Sequence, residues 1–330
     1  MSVVVSYGTG FFSCCSVRLH EIVKYINQHK KLPLHVDSSK RFACYKKENT
    51  CHDITFEYFD HYDNTKEIIL NTPINYNHCY QYINYSLLNY NNISPIVKKY
   101  FSPSKQIVDI IESIEQKYRI EYNNICVLFY RGNDKATETK LPEYDDYVTH
   151  INSIIAKQPE IKFLIQSDET EFIEQMTEMF PKNSFYFKDE IRHIKKANKT
   201  VDMVFRESNP VFSKYYLAIT IIMSKCKYII CGSGNCSIWI MLFRGNCNNV
   251  YQYVNSKMTQ IDDGDKEWKK IAVEGDKVNV DIGARIRYGV EFRWIEQVNN
   301  VDSFIVNNAH FGGDPSPGLI KILQLYKKIE

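Results

Sequence analysis

Apolar residues fall along this chain in short runs of two kinds, divided by polar turns. Ile125-Cys126-Val127-Leu128-Phe129 is apolar without interruption, as a strand buried on both faces of a parallel sheet would be. Residues 161–166, 184–187, 228–231 and 250–253 predict further strands. Between them apolar positions recur at helical spacing, which predicts helices over 143–156, 172–180, 210–225 and 236–243. Strands and helices alternating at these lengths imply an α/β fold, a parallel sheet with helices on both faces.

The first third of the chain is patterned more weakly. Residues 3–6 predict a strand, Tyr7-Gly8-Thr9-Gly10 a tight turn, 14–27 a helix and 33–37 a second strand. Strand, Gly-x-Gly turn and helix open a Rossmann-like unit, although Ser13 stands where the dinucleotide fingerprint has its third glycine. Gly8, Thr9 and Gly10 either only make the turn or line a ligand cleft. Further on, 54–59 predict a strand, 61–64 a turn, and 79–88 and 104–118 helices, the last capped by Ser104. Past residue 255 the sequence is charged and turn-rich until a final amphipathic helix over 319–329. The organisation expected is a Rossmann-like domain over 1–120, a second over 121–310, and a C-terminal helix within 311–330 that can pack back on the first.

Composition narrows the setting. With 41 Lys and Arg against 39 Asp and Glu in 330 residues, nothing points to nucleic acid. No apolar run approaches a membrane span, and Val3-Val4-Val5 is too short for a secretion signal, so a cytoplasmic protein is expected. The 10 cysteines form no C-x-x-C pair and read as small buried hydrophobes. Cys226, Cys231 and Cys236 recur every five residues, but a strand-turn-helix pattern points them in different directions, so no metal site is expected. Tyrosine is abundant, at 24 residues.

Three places carry candidate chemistry. At the carboxyl end of the run 125–129, Arg131, Asp134 and Lys135 surround Gly132, where open α/β sheets bind ligands. A guanidinium can grip a phosphate in bidentate fashion and Lys135 can add a point charge, or Arg131 simply pairs with Asp134. The turn Gly232-Ser233-Gly234-Asn235-Cys236-Ser237 lies between a strand and a helix. There backbone N–H groups and hydroxyls can meet an anion, or the turn is an ordinary helix cap. The carboxylates Glu138 and Asp168 are each either a base for an acceptor hydroxyl or a solvated, helix-capping acid.

At these loops the sequence resembles a known group. Phe129-Tyr130-Arg131-Gly132-Asn133-Asp134-Lys135 is similar to the H-V-R-R-T-D-K motif of α1,6-fucosyltransferases, with Arg131, Asp134 and Lys135 in register. Thr137-Glu138 and Pro142-Glu143-Tyr144-Asp145-Asp146-Tyr147 continue the likeness, and Ser167-Asp168-Glu169 resembles the family's T-D-D strand end. Met223 to Ile230, followed by Ser233 to Trp239, looks like a segment of the more distantly similar α1,2-fucosyltransferases; the protein O-fucosyltransferases are also distantly similar. The sequence departs from the pattern at Phe129, where the family has His, and at Gly132, where the α1,6 enzymes have a second Arg. The helix over 210–225 also lacks the central Asp with which related enzymes read guanine.

The resemblance implies a GT-B architecture, two Rossmann-like domains facing across a cleft, with GDP-fucose or another nucleotide sugar as donor. It implies an inverting transfer to a glycan hydroxyl, with no metal and no cofactor. By position it places Arg131 on the β-phosphate, Lys135 and Glu138 near the sugar and acceptor, and Ser233 and Ser237 on phosphate oxygens, with 8–10 facing the same cleft. A silent GT-B protein that binds nucleotide or glycan is the alternative. An NAD-type enzyme on Gly8 and Gly10 is disfavoured by the broken fingerprint.

Overall fold

The computed structural model describes residues 2–5, 10–48, 50–62, 68–70, 72–261, 266–281, 284–290 and 293–328. The chain divides into two compact units, Met1–Asp262 and Asp263–Glu330.

The first unit begins with β1 (Ser2–Val4), α1 (Phe11–His29) and β2 (His35–Asp37), the two strands pairing in parallel. This is the expected strand-helix-strand opening, with one face of α1 wholly buried. The strand expected over 54–59 is instead a helical turn, α2 (Thr55–Tyr58). Asp53 Oδ1 accepts from the Thr55 backbone N–H at 2.9 Å, which favours a turn over extension. The helix expected over 79–88 is two short 3₁₀ turns, each started by an Asn, Asn77 and Asn84, whose side chain accepts a backbone N–H two residues on. Of the turn expected at 61–64, Asp63 and Asn64 lie outside the described residues.

Helix α3 (Tyr90–Tyr100) escapes the sequence pattern because Pro95 lies inside it. Helix α4 (Lys105–Tyr118) follows. Ser104 precedes it but donates its hydroxyl to Glu57 O at 3.0 Å rather than capping the helix.

The second half of this unit carries the main sheet. Its strands are β3 (Ile125–Tyr130), β4 (Lys162–Ser167), β5 (Ser184–Phe185), β6 (Tyr228–Cys231), β7 (Val250–Val254) and β8 (Lys257–Ile261). The order across the sheet is β5-β4-β3-β6-β7-β8, parallel except for the hairpin partner β8. Every residue of β3 is buried, as its unbroken apolar run requires. Helices α5 (Tyr144–Lys157), α6 (Thr170–Met179), α7 (Val201–Val204), α8 (Asn209–Lys225) and α9 (Asn235–Arg244) fill the connections.

Strand order reverses between β3 and β6, the switch point where an open sheet leaves a crevice. Tyr130 pairs with Ser167, and Phe129 with Cys231. Register therefore delivers Arg131, Asp168 and Gly232, the next residues out, to one edge. The first third packs into this half: Trp239 Nε1 donates to Ser16 Oγ at 3.0 Å, and Tyr85 N donates to Gln252 Oε1 at 2.9 Å. The compact division accordingly falls at Asp262, not near residues 120 and 310.

The second unit is antiparallel. Strands β9 (Lys266–Val273), β11 (Arg285–Val290), β12 (Arg293–Val298) and β14 (Ile322–Lys328) form a sheet in the order β12-β11-β14-β9, and β10 (Lys277–Asn279) pairs with β13 (Ser303–Ile305). The final helix expected over 319–329 is thus corrected to a strand. Leu323 and Leu325 face the core of this unit, while Gln324 meets Arg287 on the other side. That is a period of two, imposed by partners far away in sequence.

Candidate functional site

Arg131 leaves the end of β3 and is caught from three sides. Its Nε donates to Asp168 Oδ2 at 2.9 Å, one terminal nitrogen to the Tyr216 hydroxyl of α8 at 3.3 Å, and the other to Asp134 Oδ1 at 3.4 Å. Asp168 takes the Gly132 backbone N–H on its second oxygen at 3.0 Å. One buried carboxylate therefore fixes both the guanidinium and the loop that carries it. Burial works against the Arg131 charge, but Asp168 foremost, with Tyr216 and Asp134, outweighs it and holds the group protonated. The alternative pairing with Asp134 exists, but it is the longer contact.

Glu169 explains Gly132. This fully buried acid accepts from the Tyr144 hydroxyl, and from the Asn133 backbone N–H at 3.3 Å. A Cβ at position 132 would lie 2.1 Å from Glu169 Oε2 and 2.8 Å from Tyr130 Cε1. Any larger residue would force these buried side chains to shift, so the second arginine of the resembling motif would overpack the loop. Asn133 sits in the left-handed region at φ 47, which Asn tolerates better than most residues. Its side chain donates to Asp168 O at 2.7 Å and accepts from Ala197 N at 2.9 Å.

Lys135 is buried and forms an ion pair with Glu138, whose same oxygen accepts the Tyr82 hydroxyl at 2.9 Å. Burial pushes the Glu138 carboxyl up, but Lys135 and then Tyr82 outweigh it and hold the group below the ordinary range. Asp134 is raised, because its burial exceeds the opposing pull of Arg131. Of the acids here, Asp134 is the one whose surroundings favour taking up a proton, whereas Asp168 has both oxygens engaged.

These residues line a cavity of about 410 Å³. Arg131, Asp134, Lys135, Glu138 and Asp168 contribute from the β3 and β4 ends, Gly234, Asn235 and Ser237 from the N-terminus of α9, and Gly10 from that of α1. Gly8 and Thr9 lie outside the described residues. Ser233 instead lines a neighbouring cavity of about 200 Å³, whose wall also includes Arg131 and Ser237.

The 232–237 turn is only partly open to an anion. Ser233 Oγ donates to Tyr253 O at 2.7 Å, and Gly234 N donates to the buried Tyr85 hydroxyl at 3.0 Å. Two further acceptors on the cavity wall are unmatched: Gln166 Oε1 and Asn235 Oδ1 have no hydrogen-bond partner among the described residues. Both oxygens are shut off from the cavity space, although buried acceptors are ordinarily satisfied.

Several wall residues carry no mark in the sequence. Arg192 lines the cavity, with bonds to Asp202 at 2.8 Å and Asn209 at 2.7 Å. The Tyr45 hydroxyl donates to Asp202 at 2.6 Å while accepting from Phe11 N, which anchors the N-terminus of α1. Tyr82, Tyr216 and Gln166 are also in the wall. In a chain with 24 tyrosines, no spacing marks these few.

The cavity thus offers guanidinium, ammonium, helix N-termini and one proton-ready acid. Among the described residues no group of three or more His, Cys, Asp or Glu could hold a metal ion, and no helix is long and apolar enough to cross a membrane. Cys226, Cys231 and Cys236 are buried free thiols.

No protein-family model and no curated protein sequence matches the chain. Among solved structures, the α-1,6-fucosyltransferase NodZ co-crystallized with GDP aligns over 79% of this chain and 98% of its own, at 11% identity and a TM-score of 0.45. The crystal structure of NodZ from Bradyrhizobium aligns over the same shares at 11% identity and a TM-score of 0.42. A FUT1 mutant from Arabidopsis thaliana, in complex with GDP, aligns over 50% of this chain and 37% of its own, at 10% identity and a TM-score of 0.33. At these values the likeness is one of outline and assigns no activity.

Proposed function

We propose that this chain is a sugar-nucleotide-dependent glycosyltransferase, fucosyltransferase-like, that moves a sugar from a GDP-sugar to a glycan hydroxyl with inversion and without a metal. The observation that carries the reading is Arg131, fixed by Asp168 at the sheet switch point in a cavity of about 410 Å³. Three of its N–H donors are engaged by the described residues, and the remaining two suit phosphate oxygens. The motif around Arg131 supports the same reading.

In this reaction the bond from the anomeric carbon to the diphosphate breaks as the acceptor oxygen bonds to the opposite face. Arg131 and Lys135 stabilise the charge on the leaving diphosphate. A carboxylate takes the acceptor's proton. Asp134 is suited by its raised affinity for protons. Glu138 becomes suited when Lys135 exchanges it for phosphate, since that pairing is what depresses it. Asp168 serves as a positioning residue.

Thermal melts with GDP, UDP, GDP-fucose and NAD test the reading. Stabilisation by GDP and GDP-fucose is expected, because a ligand that binds only the folded chain raises its stability. No shift with any nucleotide would overturn it. A second reading, a silent nucleotide-binding protein, is favoured by the inward-turned Ser233 and Gly234 donors. Release of GDP from GDP-fucose separates the two: the transferase reading requires it and the silent reading forbids it.

A further inference from the structure

The β unit over 263–330 has a surface with a composition unlike its core. One face of the sheet β12-β11-β14-β9 packs Ile286, Tyr288, Leu323 and their neighbours. The opposite face stacks two arginines among three aromatic rings. Arg285 lies 5.4 Å from the Trp268 ring centre and 5.2 Å from that of Tyr326. Arg287 lies 4.5 Å from Trp268 and 4.1 Å from Trp294. The chain has three tryptophans, and two of them are in this ladder.

Stacking covers a guanidinium's flat faces and leaves its in-plane N–H donors at the edge. Among the described residues, Arg285 donates to Glu296 at 2.7 Å and Arg287 to Gln324 at 2.6 Å, so most of these donors face no protein acceptor. Exposed Lys270 pairs with Gln324 across β9 and β14, which adds a third cation beside one acid. Burial lowers Arg287's affinity for its proton, and of its two charged neighbours Glu296 opposes this while Arg285 adds to it. An incoming anion would relieve that repulsion.

We propose that this face binds an acidic carbohydrate, a chain of sugar rings bearing carboxylate or sulfate groups. The charge complementarity is local, because residues 263–330 hold ten Lys and Arg against eleven Asp and Glu. A nucleic-acid surface calls for a basic unit and for open ring faces on which bases stack. Here guanidiniums occupy ring faces, while their edges present the planar donors that carboxylate and sulfate groups accept from. The rings between them supply apolar edges for the C–H faces of the sugars. None of its residues lines the cavity of the first unit.

Calorimetric titration of the full chain with a heparin-derived oligosaccharide, a neutral dextran oligosaccharide and single-stranded oligo(dT) tests this. The acidic oligosaccharide is expected to bind and the dextran is not. Arg285→Gln combined with Arg287→Gln should weaken binding about tenfold or more, with stabilisation by GDP unchanged. That nucleotide readout keeps a failure here distinct from a failure of the transferase reading. Should the double variant melt early, Lys270→Glu, an exposed change, should show the same loss. Absence of heparin binding, equal affinity in the folded variants, or oligo(dT) binding as tight as heparin would overturn the proposal.

Discussion

At the scale of single residues, the loop after β3 is defined by what it excludes. Gly132 has no room for a Cβ because Glu169 and Tyr130 already occupy that space. Gly132→Ala should therefore destabilise the chain by about 1–3 kcal/mol, the usual cost of overpacking, as measured by urea unfolding; an unchanged midpoint would show that the loop shifts freely. Glu138 gives a pH signature. Its folded affinity for protons lies below the ordinary value of 4.5, so its contribution is present above that pH and is lost as pH falls through the folded value. Glu138→Gln should flatten the fall in melting temperature on acidification, and parallel curves would show that the Lys135 pair contributes nothing. In sequence, Arg131, Asp134 and Lys135 were visible as polar residues ending an apolar run. The roles of Glu169, Tyr216 and Arg192 were not, because they arise from contacts with residues distant in the chain.

At the scale of elements, local pattern and outcome agree where one periodicity dominates. The strands β3, β4, β6 and β7 and the helices α5, α8 and α9 lie within a few residues of their expected bounds. The failures are elements decided elsewhere. Strand β14 carries apolar residues that suit either period, and pairing with β9 and β11 selects the strand. Helix α3 was hidden by Pro95. The N-terminus of α9 is braced by a residue from a 3₁₀ turn, Tyr85, whose hydroxyl takes the Gly234 N–H. Tyr85→Phe should cost about 1–3 kcal/mol, since it leaves a buried donor unpaired. Equal thermal stability would mean that water takes the hydroxyl's place.

At the scale of the molecule, each compact unit has its own hydrophobic core, one running from Val3 to Ile261 and the other from Ala272 to Leu323. A chain ending at Asp262 should therefore fold and keep its stabilisation by GDP. A truncated chain that unfolds would show the units to be interdependent. The α/β class was legible from alternating runs, but the extent of the units was not. The sequence turn-rich after residue 255 conceals an antiparallel sheet whose pairings link residues tens of positions apart. The central claim is that Arg131 grips a nucleotide diphosphate, and the affinity of GDP for the wild-type chain and for Arg131→Ala measures it most directly. Loss of about tenfold or more is predicted, as for removal of a charged hydrogen-bond donor; equal affinity in a folded variant would contradict the account.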